Sequence, residues 1–169
     1  MDDPVQARER RAARVVAVSD AGRVLLLRGG DPARPGVAIW HPPGGGIEPD
    51  EEPADAAARE FAEETGHVVE IGPLVWDRVM RFSFNHVLYD QYEVLFLARV
   101  GAEFEPQPHG REALELEYLS GHGWFSPDEL RAVAEPDLVA PPDLPDRLDE
   151  LLRDGPPTVP VRVGGAVLP

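Results

Sequence analysis

Apolar positions in this chain form short runs punctuated by Gly, Pro and acidic residues, and one stretch switches to helical spacing. Val15-Val16-Ala17-Val18 and Val24-Leu25-Leu26-Leu27 predict two strands, joined by the turn sequence Ser19-Asp20-Ala21-Gly22-Arg23. Residues 29–36 (GGDPARPG) predict a loop, and Ile39-Trp40-His41 a short strand leading into Pro42-Pro43-Gly44-Gly45-Gly46. The period then changes: Ala57, Ala58, Phe61, Ala62 and Thr65 form an apolar stripe at helical spacing, predicting a helix over residues 53–65. Pro53 suits its first position, where a missing N–H costs nothing, and Gly66 suits the left-handed position past its end.

Strands are predicted again over residues 68–76, 79–84 and 87–100. The near-continuous apolar character of Val94-Leu95-Phe96-Leu97 implies burial on both faces of the last of these. Residues 101–122, with Pro106, Pro108 and Gly110, read as a loop and one more strand near 114–119. Ser126-Pro127-Asp128-Glu129 is a capping box opening a helix, and residues 144–153 form a last amphipathic helix after a Pro-rich connector. Beyond residue 154 the chain is rich in Pro and Gly, with 158–163 as an edge strand; no internal repeat is visible. The chain thus mixes strands and helices, with residues 1–11 read as an N-terminal extension and 154–169 as a C-terminal tail.

At 169 residues a single domain can bury a substantial core unaided. The absence of cysteine excludes disulfides, a thiolate nucleophile and a Cys-ligated zinc site. No apolar run approaches the roughly 20 residues needed to span a bilayer, and the first residues lack the apolar stretch of a signal peptide. A cytoplasmic enzyme with no membrane partner is expected. The net charge is −15, and all 16 basic residues are arginine. Such a surface argues against a nucleic acid polymer as partner, because those binders rely on clustered positive charge. A small nucleotide remains compatible, since bound metal ions offset local negative charge.

The chemistry concentrates in residues 45–67 (GGIEPDEEPADAAAREFAEETGH). At about 100° per residue, Glu60, Glu63 and Glu64 share one face of the predicted helix. Like charges at these spacings cost a few tenths of a kcal/mol per pair. A solvated acidic face is the ordinary explanation of a charge run, but the upstream sequence argues otherwise. The glycines Gly44, Gly45 and Gly46 let backbone approach a ligand closely and offer a carbonyl, and Glu51 and Arg59 can pin that loop to the helix. Carboxylates so grouped suit Mg²⁺, which takes oxygen ligands and shares its shell with water and substrate phosphates.

Gly45, Glu51, Arg59, Glu60, Phe61, Glu63, Glu64 and Gly66 together resemble the signature of the Nudix hydrolases, G-x5-E-x7-R-E-U-x-E-E-x-G-U, where U is apolar. Only the last position departs: His67 stands where an apolar residue is usual, which bears on packing at the helix exit. The resemblance extends over roughly residues 12–153. It implies the Nudix fold, an α/β/α sandwich around a mixed β-sheet, and hydrolysis of a nucleoside diphosphate linked to another group. It also implies Mg²⁺ or Mn²⁺ held by Glu60, Glu63, Glu64 and a carbonyl near Gly44, with Arg59 orienting the cluster through Glu51. The general base varies within the family: Glu60, Glu63 and a glutamate after the box, with Glu117 favoured over Glu115, are the candidates. Substrate contacts are expected from Arg28, Gly45 and Gly46, and a homodimer is compatible with the family.

Other candidates are weaker. His41 beside the glycines and His86 in a hairpin are more simply solvent-facing, and Trp40, Trp76, Phe82 and Tyr89 more simply core than base-stacking. Arg81-Phe82-Ser83 lacks the proline that marks ADP-ribose hydrolases, and Phe84 stands nearest the tyrosine of dinucleoside polyphosphate hydrolases. The leading expectation is pyrophosphohydrolysis of a nucleoside triphosphate, an oxidised nucleotide or a nucleotide sugar. A nucleotide-binding or regulatory module without turnover is the alternative, and a ligand-free acidic protein the third.

Overall fold

The computed structural model describes residues 6–108 and 119–165. Strand β1 (Arg8–Val18) is the axis of the sheet: its parallel partner β6 (Val87–Arg99) follows one edge from Arg8↔Tyr89 to Val18↔Arg99. On its other edge β1 meets β2 (Val24–Asp31) only at Val18↔Val24. The two then diverge, and the glycine strand β4 (Gly44–Gly46) pairs with β1 at Ala12 to Arg14 instead. β2 carries β3 (Arg34–His41) on one side and β7 (Leu119–Phe125) on the other, both antiparallel. β6 forms a hairpin with β5 (Leu74–Phe84). Two short strands, β8 (Leu138–Val139) against β3 and β9 (Val161–Arg162) against β5, complete the described sheet.

Period-two alternation sorts the core onto both faces. Ala13, Val15, Ala17, Leu25, Val94 and Ala98 pack beneath helix α1 (Pro53–Thr65) with Ala56, Ala57 and Phe61. Val16, Val18, Val24, Leu26, Leu95 and Leu97 face the opposite way. They meet Leu130 of helix α2 (Pro127–Arg131) and Leu144, Leu148 and Leu151 of helix α3 (Leu144–Asp154). This is the expected α/β/α sandwich, with β6 buried on both faces.

α1 has the predicted ends, with Gly66 at φ 73°, and Ser126 makes the predicted capping box with Glu129. Its buried stripe differs: Ala56, Ala57, Phe61, Glu64 and Thr65 are buried, whereas Ala58 and Ala62 are half-buried. The stripe is rotated because Glu64 turns inward to the glycine loop. Residues 68–73 are not a strand, and Val68 is exposed. Pro73 has no N–H for a ladder, while Gly72 presses on β6, its N–H 2.8 Å from the Leu97 carbonyl. The loop expected at 29–36 is shorter, because β2 runs on to Asp31 and β3 begins at Arg34. β1 starts at Arg8, within the segment read as an extension, and Val161–Arg162 joins the sheet from the tail. The strand expected at 114–119 lies outside the described residues except for Leu119, which opens β7.

Candidate active site

The divergence of β1 and β2 leaves a cleft of about 370 Å³. Gly44, Gly45 and Gly46 with Glu60 and Glu64 of α1 form one end. The walls continue through Arg14, His41, Arg78 and Gln91 to Met80, Phe82 and Phe84. The far end closes where the Asn85 N–H donates to Asp31 Oδ1 at 2.9 Å, tying the β5–β6 hairpin to the β2–β3 hairpin.

At the glycine end the residues predicted from the signature come together. Glu64 is 3 % exposed, and its Oε2 accepts the Gly44 N–H at 2.7 Å. Gly44 adopts φ 146°; a Cβ there would lie 2.3 Å from the Ala13 carbonyl oxygen. A Cβ on Gly45 would lie 2.6 Å from Glu60 Cδ, so the carboxylate rests directly on glycine backbone. Arg59 forks onto Glu51, with Nε to Oε1 at 2.8 Å and Nη2 to Oε2 at 3.0 Å. It also donates to Glu60 Oε1 at 2.9 Å and to the Gly46 carbonyl at 3.1 Å. Arg59 thereby pins the loop to the helix as expected, and its hydrogen bonds hold the Glu51 carboxyl below the usual range. Glu63 Oε1 stands 3.7 Å from Arg59 Nη1.

The donor chemistry fits a hard divalent cation: Glu60, Glu63 and Glu64 rise from one helix beside loop carbonyls. Among the described residues, however, no three carboxylate or imidazole groups already converge as a metal cluster. Arg59 stands among Glu60 and Glu63, Glu64 is turned to the loop, and the Gly44 carbonyl accepts Arg14 Nη1 at 3.2 Å. A bound cation would compete with Arg59 for Glu60 and Glu63 and with Arg14 for the Gly44 carbonyl. Glu115 and Glu117 lie outside the described residues.

The middle of the cleft holds residues that sequence reading missed. Glu93 is fully buried between Arg14 and Arg78, which donate to its Oε1 and Oε2, and Gln91 Nε2 donates to Oε1 at 3.2 Å. Burial alone would raise the Glu93 carboxyl, but the two guanidiniums outweigh it and hold it at about 2. Two cations share one carboxylate here. Burial and then Arg14 push the half-buried His41 imidazole down to about 3, so the ring is neutral, with Nδ1 3.2 Å from Arg14 Nη1 and 3.1 Å from the Pro42 carbonyl oxygen. Arg10 reaches the same cleft, its guanidinium 6.0 Å from the Tyr89 ring centroid and free of any ion pair among the described residues. One signal was available: Arg10 and Arg14 stand an even number of positions apart and so share the face of β1 that Ala12 and Val16 occupy.

The remaining candidates lie elsewhere. Arg28, expected to touch substrate, forks onto Asp137 at 2.7 and 2.8 Å and is absent from the cleft lining. A carboxylate 109 residues away in sequence engages it first. His86 is exposed in its hairpin and Trp76 is core. Phe82 stacks on Tyr89 with centroids 5.4 Å apart. His67 stacks on Phe104 at 3.8 Å, which accounts for an aromatic ring at the helix exit in place of an aliphatic residue.

The layered sheet, glycine loop and acidic helix define a recognisable class. The NUDIX domain model matches residues 8–145, and the chain belongs to the Nudix hydrolase family. It is similar to the m7GpppN-mRNA hydrolase NUDT17 of Bos taurus, 30 % identical over 128 residues, and to that of Homo sapiens, 30 % identical over 145. Those alignments cover 71 % and 78 % of this chain but 42 % and 44 % of the relatives, so the chain spans less than half their length. Among solved structures, the MutT protein from Methanosarcina mazei Go1 superposes with a TM-score of 0.64 at 20 % identity, covering 88 % of this chain and 99 % of that one. A C. elegans Ap4A hydrolase superposes with a TM-score of 0.60 at 20 % identity, covering 85 % and 97 %. These likenesses establish the fold. Among the described residues no helix is long and apolar enough to cross a membrane.

Proposed function

We propose that this protein hydrolyses a diphosphate linkage in a small nucleoside diphosphate derivative, such as a nucleoside triphosphate, an oxidised nucleotide or a nucleotide sugar. One observation carries the reading: a single cleft joins the acidic face of α1, across the glycine loop, to a floor rich in arginine. Among the described residues, four of the chain's 16 arginines line it, against three of its 31 acidic residues. In a protein of net charge −15 that concentration suits an anion. The names of the similar proteins also share a theme, since m7GpppN and Ap4A both carry a phosphate bridge between a nucleoside and another group.

Glu60, Glu63 and Glu64, with a carbonyl of the glycine loop, are the groups that would hold Mg²⁺ or Mn²⁺. Held there, such an ion would neutralise phosphate oxygens and lower the pKa of a water. Arg59, held by Glu51, orients Glu60. Gly45 and Gly46 let a diphosphate approach the backbone, and Arg10 and Arg14 offset its charge. Glu60, Glu63 and Glu117 are the candidates for the general base. The second reading is a nucleotide-binding module without turnover, which would use the same cleft.

The test is a nucleotide panel incubated with Mg²⁺ or Mn²⁺, comparing wild type with Glu64→Gln and reading the cleavage position by mass spectrometry in ¹⁸O-water. Turnover lost in the variant supports the assignment. Equal turnover in both proteins removes Glu64 from the site, and binding without turnover in wild type selects the module. Mg²⁺ should also raise the melting temperature of wild type by mass action, and do so less in the variant.

A further inference from the structure

Arg14 joins the glycine loop to the arginine floor. Its stem passes over Gly44, where a Cβ would lie 2.8 Å from Arg14 Cγ, so the missing side chain is what lets the arginine run this close to the loop. Its Nε donates to the buried Glu93, which Arg78 holds through the other oxygen. Its Nη1 then reaches two loop carbonyls, Pro42 at 3.0 Å and Gly44 at 3.2 Å. Gly44 thus stands between two charges, with the Glu64 carboxylate on its N–H at 2.7 Å and the Arg14 guanidinium on its carbonyl. Burial works against the Arg14 charge, but Glu93 first and then Glu64 and Glu60 outweigh it and hold the guanidinium above its usual range.

The Gly44 carbonyl and the carboxylates of Glu60 and Glu64 are also groups that suit a hard divalent cation. Arg14 and such a cation therefore draw on the same oxygens. A Mg²⁺ ion about 2.1 Å from the Gly44 oxygen would lie within roughly 5–6 Å of Arg14 Nη1. At that separation, even with the dielectric constant of bulk water, a unit positive charge disfavours a divalent ion about 10-fold. Giving up the Gly44 carbonyl does not set Arg14 loose. Nη1 keeps the nearer Pro42 carbonyl and Nε keeps Glu93, so the guanidinium stays in the cleft that it lines. Its charge stays with it, and an anion is what can offset that charge.

We propose that Arg14 is an exchangeable counter-cation of this site: it competes with a divalent ion for the Gly44 carbonyl and the glutamates, and it serves the ligand's diphosphate once that carbonyl is taken. The diphosphate offsets both cations, so Arg14 ties retention of the ion to the presence of the anion. The inference rests on the hydrolase reading for the diphosphate, and deepens it by giving Arg14 opposite effects on the two ligands. Loss of an arginine that merely braced the loop would weaken the binding of both.

The experiment removes the charge and then restores it. Calorimetry follows Mn²⁺ binding, with no nucleotide present, to wild type, Arg14→Gln, Arg14→Lys and Glu64→Gln. Arg14→Gln leaves Glu93 its ion pair with Arg78, and an unfolded fraction lowers the measured stoichiometry without changing the affinity of the rest. Mn²⁺ should bind Arg14→Gln about 10-fold more tightly than wild type, and Arg14→Lys, which keeps the charge, within about threefold of wild type. In the second arm, the KM of a hydrolysed nucleotide at saturating Mn²⁺ should instead rise about 10-fold in Arg14→Gln. Opposite shifts of the two affinities support the proposal. Equal or weaker Mn²⁺ binding by Arg14→Gln overturns it, as does tighter Mn²⁺ binding with an unchanged KM, or no Mn²⁺ binding by any of the four proteins. Mn²⁺ binding that Glu64→Gln abolishes and Arg14→Gln leaves unchanged keeps the metal site and the hydrolase and removes the counter-cation. Tighter Mn²⁺ binding by Arg14→Gln in a protein that hydrolyses no nucleotide supports the competition and removes the hydrolase.

Discussion

Alanine at Gly44 and alanine at Gly45 should fail in different ways, although the two positions are adjacent. At Gly44 the new Cβ would lie 2.3 Å from the Ala13 carbonyl oxygen and 2.6 Å from Arg14 Cα, where carbon contacts are comfortable at about 3.5–4.0 Å. Both obstacles are backbone of β1, which β6 holds along its length, so they cannot retreat. Overpacking of about 1–3 kcal/mol adds to a backbone penalty of about 1–3 kcal/mol for a side chain at φ 146°. A loss of about 3–5 kcal/mol is expected, lowering the melting temperature by about 10 °C. At Gly45 the contacts within 2.6–2.8 Å are all atoms of the Glu60 carboxylate. That side chain can swing aside, so stability should fall by only about 1 kcal/mol. The carboxylate is displaced by about 1 Å in doing so, a shift of the size that costs about 100-fold in rate. Guanidinium unfolding and metal-dependent nucleotide hydrolysis, run on both variants, separate the outcomes. Gly44→Ala unfolding with the wild-type midpoint would refute the close approach of loop to strand. Gly45→Ala with wild-type turnover would refute a working role for Glu60.

Acid should destabilise the fold in two overlapping steps. Folded His41 stays neutral down to about 3 while the unfolded side chain titrates at 6.5. The unfolded chain therefore binds the extra proton between those values, and stability present above 6.5 is lost as pH falls. At pH 5 the deficit is about 1–2 kcal/mol, reduced because His41 opens on the cleft; His41→Gln should flatten that part of a stability–pH curve, and an unchanged slope would count against it. Glu93 adds a second step below its unfolded value of 4.5, as pH falls toward about 2. Glu93→Gln should cost about 3–5 kcal/mol, since Arg14 and Arg78 keep their charges without a carboxylate between them; chemical denaturation reads this, and a loss under 1 kcal/mol would contradict it. Arg28→Ala should leave kcat/KM within about twofold and cost at most about 1 kcal/mol, because its fork serves Asp137; a 10-fold fall in kcat/KM at unchanged stability would return it to the substrate.

How much was legible depended on whether the deciding contact was local. The ends of α1 were readable because Pro53 and Gly66 act through their own backbone, and Glu51–Arg59 because eight residues of loop and helix bring them together. The capping box at Ser126 is local in the same way. The inward turn of Glu64 was hidden, because its partner is the Gly44 N–H, supplied only when β4 docks on β1. A hydrophobic pattern cannot announce a buried carboxylate. The same limit hid the Asp137 partner of Arg28, which arrives from beyond β7, and turned residues 68–73 into a predicted strand, since Val68 and Val69 look apolar without the constraint of Gly72 against Leu97.

The arginine floor shows why an acidic protein can still suit an anionic ligand. Among the described residues, ten arginines make ion pairs, most of them with carboxylates at the surface, where such pairs cancel locally and contribute little. The cleft is arranged differently. Arg14 and Arg78 divide a single buried carboxylate, His41 stays uncharged beside them, and Arg10 adds a cation at the rim. Over Arg10, Arg14, Arg78 and Glu93 the sum is positive although the chain carries −15. Low-dielectric walls and restricted access to counterions make that local sum, more than the distant surface charge, the field a bound group experiences. The acidic face of α1 adjoins these guanidiniums across the glycine loop, where Arg14 Nη1 donates to the Gly44 carbonyl at 3.2 Å, so a ligand there meets carboxylates and guanidiniums together. A diphosphate suits that arrangement if a metal ion screens it from the carboxylates while Arg10 and Arg14 offset the rest of its charge, whereas a bare polyanion would meet Glu60 and Glu64 unscreened.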